Sequence, residues 1–375
     1  MSDTVDDING ICVGLRRLVA AGRRAGHEVH LVGAAKPGVV DEVVRIPSAM
    51  TASLPIYPDM TWSVPELPPL TSWLARNADI VQVATPGPMG IAGLIAARML
   101  GLPVIAQYHT EVADYAAQMT GLPMVKMIVE PIVGWFYKQA DVCLAPSQAV
   151  AQRLASFGIA ADRIWRIQRG VDLELFNPAR RDRGVLAKWG IGDVPVALYV
   201  GRLSKEKNLD ALTSAWAKVH AARPDAKLLV VGAEGPLAGT FKAPGMVETG
   251  GLFGEELASV FASADVFMFP SETETFGNVV VEAAASGLPS VVARAGASHE
   301  HVVAGETGLV VDGKKSQELA DAVLELFADP LRRWQMRAAA RAHAAGYDLA
   351  AAVRATWEIY AKVAAERAQL VEAAS

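Results

Sequence analysis

Cysteine is nearly absent from this chain: 375 residues contain two, Cys12 and Cys143, far apart and without the spacing of metal ligands. That excludes a disulfide scaffold and a cysteine zinc site, and fits free thiols in a reducing compartment. An excess of positive charge is missing too, and the formal net charge of −5 gives no global reason to expect a nucleic-acid partner. No apolar run approaches the roughly 18 to 20 residues that a membrane span needs. The opening MSDTVDDING has neither the basic stretch nor the apolar core of a secretion signal, which makes cytoplasmic residence the expectation. The motifs GxxxxGKS/T, HExxH and GxSxG do not occur, and no strand-like run is followed by GxGxxG, so several phosphate-binding, metalloprotease and hydrolase classes are set aside.

What is present is a chain with 52% hydrophobic and 20% charged residues, enough apolar surface for large packed cores. A prior of about 150 residues per domain suggests two domains. Short β-rich runs (EVHLVG, EVVRIP, DIVQV, PVIAQYH, DVCLAP, RIWRIQ) alternate with helical stretches near 10–25, 88–100, 124–140 and 147–157. A second series (VALYVG, KLLVVG, MVETGG, DVFMFP, PSVVAR, GLVVD) alternates with helices near 207–222, 253–263, 277–286 and 316–328. Such alternation predicts parallel sheets wrapped by helices, hence two doubly wound, Rossmann-like α/β domains. The expected boundaries are an N-terminal domain over 1–178, a linker over 179–195 rich in Pro, Gly and charge, and a second domain over 196–347. A helical tail over 348–375 is expected to pack back on the first domain. One irregularity stands at the front: the helix near 10–25 has no central strand before it. Either the domain opens differently, or the strand lies upstream of the given start.

In open α/β sheets, ligands bind beyond the carboxyl ends of strands and at the N-termini of the following helices. After VALYVG comes GRLSKEKN, where Arg202 and Lys207 can reach an anion lying over the strand end, unless they are ordinary solvated loop residues. After DVFMFP comes SETETFGNVVVEAAASGLP, in which the first amides of a helix near Phe276, Gly277 and Asn278 face an anion. Glu274 stands in the loop before that helix and Glu282 lies inside it. Acidic side chains beside a phosphate site make sense when they accept hydrogen bonds from sugar hydroxyls, which describes a nucleotide sugar; the bland reading is a loop charge and a solvated helix residue. His109, in PVIAQYHTE, ends a strand of the first domain, and Gly10 permits a close backbone approach where the first helix begins.

Together ING at 8–10, YHTE at 108–111, APS at 145–147, RGVD at 169–172, FNP at 176–178, GRLSKEKN at 201–208, ADVFMFPSETETFGNVVVEAAASGLP at 264–289 and TGLVVD at 307–312 resemble the retaining glycosyltransferases of family 4. That resemblance spans nearly the whole chain in the family's order. It implies the GT-B fold, two Rossmann-like domains facing a cleft, and transfer of a hexose of the mannose or glucose type from a GDP- or UDP-linked donor, with no cofactor and no metal. It further implies that Arg202 and Lys207 hold the donor diphosphate, Glu282 the ribose hydroxyls, and Glu274 with the backbone of Phe276, Gly277 and Asn278 the donor sugar. His109 would contact that sugar or stabilise charge at the reaction centre, and Gly10 would lie near the diphosphate, where the family often has a glycine pair.

Within the family, the chain is most similar to glycolipid-forming members such as bacterial α-mannosyltransferases and sulfoquinovosyl-diacylglycerol synthases, through TPGPMGIAGLIAARMLGLPVIAQYHTEV, QADVCLAPS and ETETFGNVVVEA. A lipid acceptor calls for peripheral association with the inner membrane face. Two stretches could supply the surface. One carries Arg16, Arg17, Arg23 and Arg24 beside Ile11, Leu15, Leu18 and Val19; the other carries Met124, Met127, Ile128, Ile132, Trp135 and Phe136 along one helix. For both, the competing reading is a buried face with a solvated rim. A transferase for soluble acceptors, a nucleotide-sugar epimerase and a non-enzymatic sugar-binding protein remain the functional alternatives.

Overall fold

A computed structural model describes the chain except residues 4, 6–9, 36–41, 55–56, 233–237, 241 and 375, and except the side chains of 10–11, 53–62, 119 and 367–374. It divides into two compact units, one formed by residues 1–168 with 352–375 and the other by residues 169–351.

Unit 1 runs α1 (Gly10–Arg24), β1 (Leu31–Ala34), β2 (Val43–Ile46), β3 (Ser48–Leu54), β4 (Tyr57–Pro65), α2 (Leu67–Asn77), β5 (Val81–Val83), α3 (Pro88–Met99), β6 (Val104–Gln107), α4 (Val112–Thr120), α5 (Pro123–Lys138), β7 (Val142–Ala145), α6 (Gln148–Ser156) and β8 (Ile164–Arg166). Strands β5, β6, β7 and β8 form a parallel sheet in that order, and β1 pairs with β2 in parallel. The anticipated gap between these two sheets is not empty. Residues at the start of the chain run between them: Ser2 N donates to the Val32 carbonyl at 3.3 Å, Ala84 N donates to the Met1 carbonyl at 2.9 Å, and the Met1 amino group donates to the Gln82 carbonyl. Backbone groups that would otherwise be unsatisfied on both edges thereby find partners. An antiparallel hairpin of β3 and β4 has no counterpart in the pattern read from sequence; Pro58 and Pro65 lie in β4 and mask its strand signal.

Unit 2 runs β9 (Val196–Val200), α7 (Leu209–Ala222), β10 (Lys227–Val231), β11 (Met246–Gly250), α8 (Gly254–Ser263), β12 (Val266–Phe269), α9 (Asn278–Ala285), β13 (Ser290–Ala293), β14 (Gly308–Val311), α10 (Ser316–Ala328) and α11 (Pro330–Ala344). Its six strands are all parallel in the order β11-β10-β9-β12-β13-β14, so the winding reverses between β9 and β12. Strands β9, β10, β12 and β13 are buried on both faces, which explains their continuous apolar runs.

The unit boundary falls ten residues ahead of the expected 178, and residues 179–195 are no free linker. Leu186 and Ile191 are fully buried in the core of unit 2, while Arg181 and Arg183 bond to Asp265 and to carbonyls at the end of α8. Apolar residues spaced through a charged, Gly-rich stretch were outvoted by its composition. The last helix, α12 (Leu349–Ala374), belongs to unit 1 from Ala352 onward, where Trp357 stacks on His27 at 4.6 Å and the Tyr360 hydroxyl donates to the Gln82 side chain.

Candidate active site

The reversal between β9 and β12 is the place where two adjacent strands send their exit loops in opposite directions and leave a crevice. Both loops carry the residues singled out above. After β9 the chain passes Arg202 into a short 3-10 turn, Lys205–Lys207. The fully buried Tyr199 holds this loop, its hydroxyl donating to the Arg202 carbonyl at 3.1 Å. Asn208 sits at φ 57°, the left-handed region that asparagine tolerates better than most residues. Its side-chain amide donates to the carbonyls of Gly313 (2.7 Å) and Pro270 (3.4 Å), binding the β9 loop to the loops after β12 and β14.

After β12, Glu274 turns toward that loop. Lys207 Nζ and Ser271 Oγ both donate to Glu274 Oε1, the latter at 3.0 Å, and Thr273 Oγ1 donates to the Glu206 carbonyl at 3.0 Å. Burial alone would raise the Glu274 carboxyl, but the Lys207 charge and hydrogen bond, the Ser271 hydroxyl and the nearby Arg202 outweigh it and hold the group below the usual carboxylate range. Glu274 is therefore an anion at neutral pH, suited to accept hydrogen bonds and unsuited to donate a proton. The Glu274 backbone is fixed as well: its carbonyl accepts from Ala297 N at 2.9 Å.

Helix α9 begins directly behind. Its N-cap is Gly277 at φ 92°, with no side-chain cap, so no protein oxygen from the cap occupies the first amides. A Cβ at Gly277 would lie 2.9 Å from Ser298 Oγ. Most of α9 is buried, and Asn278, Val279 and Glu282 are the residues of this helix that reach the surface. They share one side of the helix, so Glu282 extends the exposed strip that starts at the helix N-terminus. Phe276, just ahead, is buried; His301 Nε2–H donates to its carbonyl at 2.7 Å, and the Tyr347 hydroxyl donates to His301 Nδ1 at 3.0 Å.

His301 is neutral in this setting, its pKa lowered from 6.5 to about 4, chiefly by burial. The fold keeps the uncharged imidazole, so the stability it contributes is complete above the unfolded value and is lost as pH falls from 6.5 toward 4. That window corresponds to about 3 kcal/mol. Urea unfolding at pH 7 and near pH 4.5 should show the wild type losing about 2.5 kcal/mol more than His301→Gln; equal losses would contradict the assignment.

One residue without a role in the sequence reading belongs here. Arg169 is partly buried, lies 5.8 Å from the Phe276 ring centre, and feels the Glu274 charge; desolvation of its guanidinium lowers its pKa to about 10, which leaves it cationic at neutral pH. The signal was in plain view, since Arg169 heads the RGVD stretch. Unit 2 thus brings together Arg202, Lys207, Glu274, Phe276, Gly277, Asn278 and Glu282, with Lys207 and Glu274 in direct contact.

His109 and Gly10 belong to unit 1. Gly10 opens α1, while Ile8 and Asn9 lie outside the described residues. His109 follows β6 in a loop whose neighbouring residues are tied together. The Tyr108 hydroxyl donates to Glu111 at 2.8 Å, and Arg153 bridges Glu111 and Glu130. Burial raises the Glu111 pKa against the pull of Tyr108 and Arg153.

Comparison with known proteins identifies the family. Residues 8–175 match the family model described as Glycosyltransferase Family 4, and residues 194–329 match the model described as Glycosyl transferases group 1. The chain is 34% identical over 330 residues to a GDP-mannose-dependent alpha-mannosyltransferase of Mycobacterium tuberculosis, covering 85% of this chain and 84% of that one. It is 34% identical to a sulfoquinovosyl transferase of Arabidopsis thaliana, covering 88% and 66%. Among solved structures, Anabaena HepE in complex with UDP-glucose superposes with a TM-score of 0.76 at 19% identity, over 96% of this chain and 98% of that one, which shows the shared fold. The two Rossmann-like units, the placement of the motifs and these matches lead to one conclusion: the chain belongs to glycosyltransferase family 4, with the GT-B fold, and is a nucleotide-sugar-dependent hexosyltransferase.

Proposed function

We propose that this enzyme transfers mannose, or a related hexose, from a GDP-linked donor to a glycolipid precursor at the membrane surface, with retention and without a divalent cation. The observation that carries the reading is the Lys207–Glu274 pair set against the N-terminus of α9. Lys207 and Arg202, with the first amides of α9, supply positive charge for the donor diphosphate. That charge counts most when the diphosphate leaves. Glu274 accepts from hydroxyls of the donor sugar, Glu282 accepts from those of the ribose, and the backbone from Phe276 to Asn278 lines the sugar. His109 contacts the sugar or stabilises charge at the anomeric carbon. An anionic Glu274 already engaged by an ammonium and a hydroxyl makes a poor nucleophile, which favours front-face attack by the acceptor, with the departing phosphate taking the acceptor proton. Catalysis then rests on orientation and charge stabilisation.

The GDP-mannose dependence of the M. tuberculosis relative supports the choice of donor. Incubation of the purified chain with GDP-α-mannose, UDP-glucose and a lipid extract should give an α-linked product by NMR with the GDP donor, unchanged by EDTA. A β-linked product, or loss of turnover with EDTA, would reject the corresponding part. Donor alone should give neither an epimer nor an exchange product, in contrast to an epimerase, and a sugar-binding protein would give no turnover.

A further inference from the structure

The two stretches proposed for membrane contact differ in the folded chain. In α1, Leu15 is buried and Leu18 and Val19 pack into neighbouring apolar clusters, so its apolar stripe is an ordinary inner face; the Ile11 side chain lies outside the described residues. In α5 the polarity is inverted. Met124, Met127, Ile128, Ile132 and Trp135 are between 46% and 76% exposed, whereas Phe136, expected on the same stripe, is buried with Val133 and Tyr137 on the inner side. The charged residues lie off this face, partly buried and paired: Lys126 with Asp114 at 2.6 Å and Glu130 with Arg153. Among the described residues of the helix, Lys138 at its C-terminal end is the one charged side chain left on the exposed face.

We propose that this face of α5 docks the enzyme on a lipid bilayer, with Met124, Met127, Ile128 and Ile132 in the outer acyl region and Trp135 and Lys138 at headgroup level. The proposal rests on the lipid-acceptor reading and adds the surface that reading requires. Three observations select a bilayer over a second copy of the chain. The exposed side chains amount to roughly 600 Å², less than the ~800 Å² per partner of a stable protein interface. A protein interface carries a polar rim with hydrogen bonds, whereas this stripe offers no polar side chain before Trp135, and hydrocarbon asks for none. The aromatic and the cation share one end of the stripe, as interfacial anchors do. With Lys138 as the single cation, anionic lipid should strengthen binding only about fivefold, unlike a polybasic attachment.

The test is co-sedimentation of the full chain with phosphatidylcholine vesicles, with and without one third phosphatidylglycerol. Wild type should bind both, and the double variant Met127→Glu/Ile128→Glu should bind at least about tenfold more weakly, since two exposed apolar anchors are replaced by charge. Donor-induced thermal shift reports folding and should be the same in both proteins. Unchanged vesicle binding in the folded variant, no binding by wild type, or a wild-type dimer that the substitutions dissociate would each overturn the proposal, the last assigning the face to a second copy. Transfer of labelled hexose into detergent-dispersed lipid needs no docking. It should persist in the variant, and its absence from both proteins would instead reject the lipid-acceptor reading.

Discussion

Lys207→Ala lowers kcat/KM for the nucleotide sugar at least about 100-fold, the loss expected when one donor to a developing anion is removed from a water-poor site. The fold should survive, because Lys207 lies on an exit loop held by Tyr199 and Asn208 and not by Lys207 itself. Glu274→Ala is expected to cost a similar factor for two reasons: the sugar loses an acceptor, and Lys207 loses the carboxylate that positions it. Because each residue orients the other, the double variant should fall much less than the product of the single losses. Strict multiplication of the two effects, in folded proteins, would mean that the pair does not act as a unit.

The second large effect comes from a residue that touches no substrate in this scheme. Gly296→Ala should lower kcat/KM at least about tenfold, with a clear drop in the melting temperature of unit 2. Gly296 has φ 74°, strained for any L side chain, and a Cβ there would meet the Glu272 carbonyl oxygen at 2.6 Å and Glu274 N at 3.3 Å. Those atoms are backbone and cannot rotate away, so the Glu274 loop must move as a piece. A displacement of about 1 Å at a positioned group is enough to cost a hundredfold in favourable cases. Alanine at Gly346, where a Cβ meets nothing within 4 Å, serves as the neutral control. Equal activity in the two variants would show that the loop position is not critical.

Part of this site is legible in the sequence alone. Motif order along the chain identified both exit loops, because Arg202, Lys207, Glu274 and Glu282 follow apolar strand runs by short, fixed intervals. Their meeting was not readable: Lys207 and Glu274 are 67 residues apart, and the contact exists because β9 and β12 are neighbours where the sheet winding reverses. Arg169 was visible as part of a motif, but its place against the Phe276 ring follows from tertiary packing. Helical periodicity marked the apolar stripes of α1 and α5 equally well. Period alone cannot say which face meets the core, and only the folded chain separates a buried stripe in α1 from an exposed one in α5. The segment 179–195 failed in the opposite sense, since its composition hid the two buried anchors Leu186 and Ile191.

Titration calorimetry of the full chain with GDP and with GDP-mannose, for wild type, Lys207→Ala and Glu274→Gln, tests the division of labour most directly. Lys207→Ala should weaken both ligands, because the diphosphate is common to them. Glu274→Gln, whose amide oxygen can still accept from Lys207, should weaken GDP only slightly and GDP-mannose much more. Unaltered GDP affinity in folded Lys207→Ala, or an equal loss for both ligands in Glu274→Gln, would contradict the assignment of diphosphate to the β9 loop and sugar to the β12 loop.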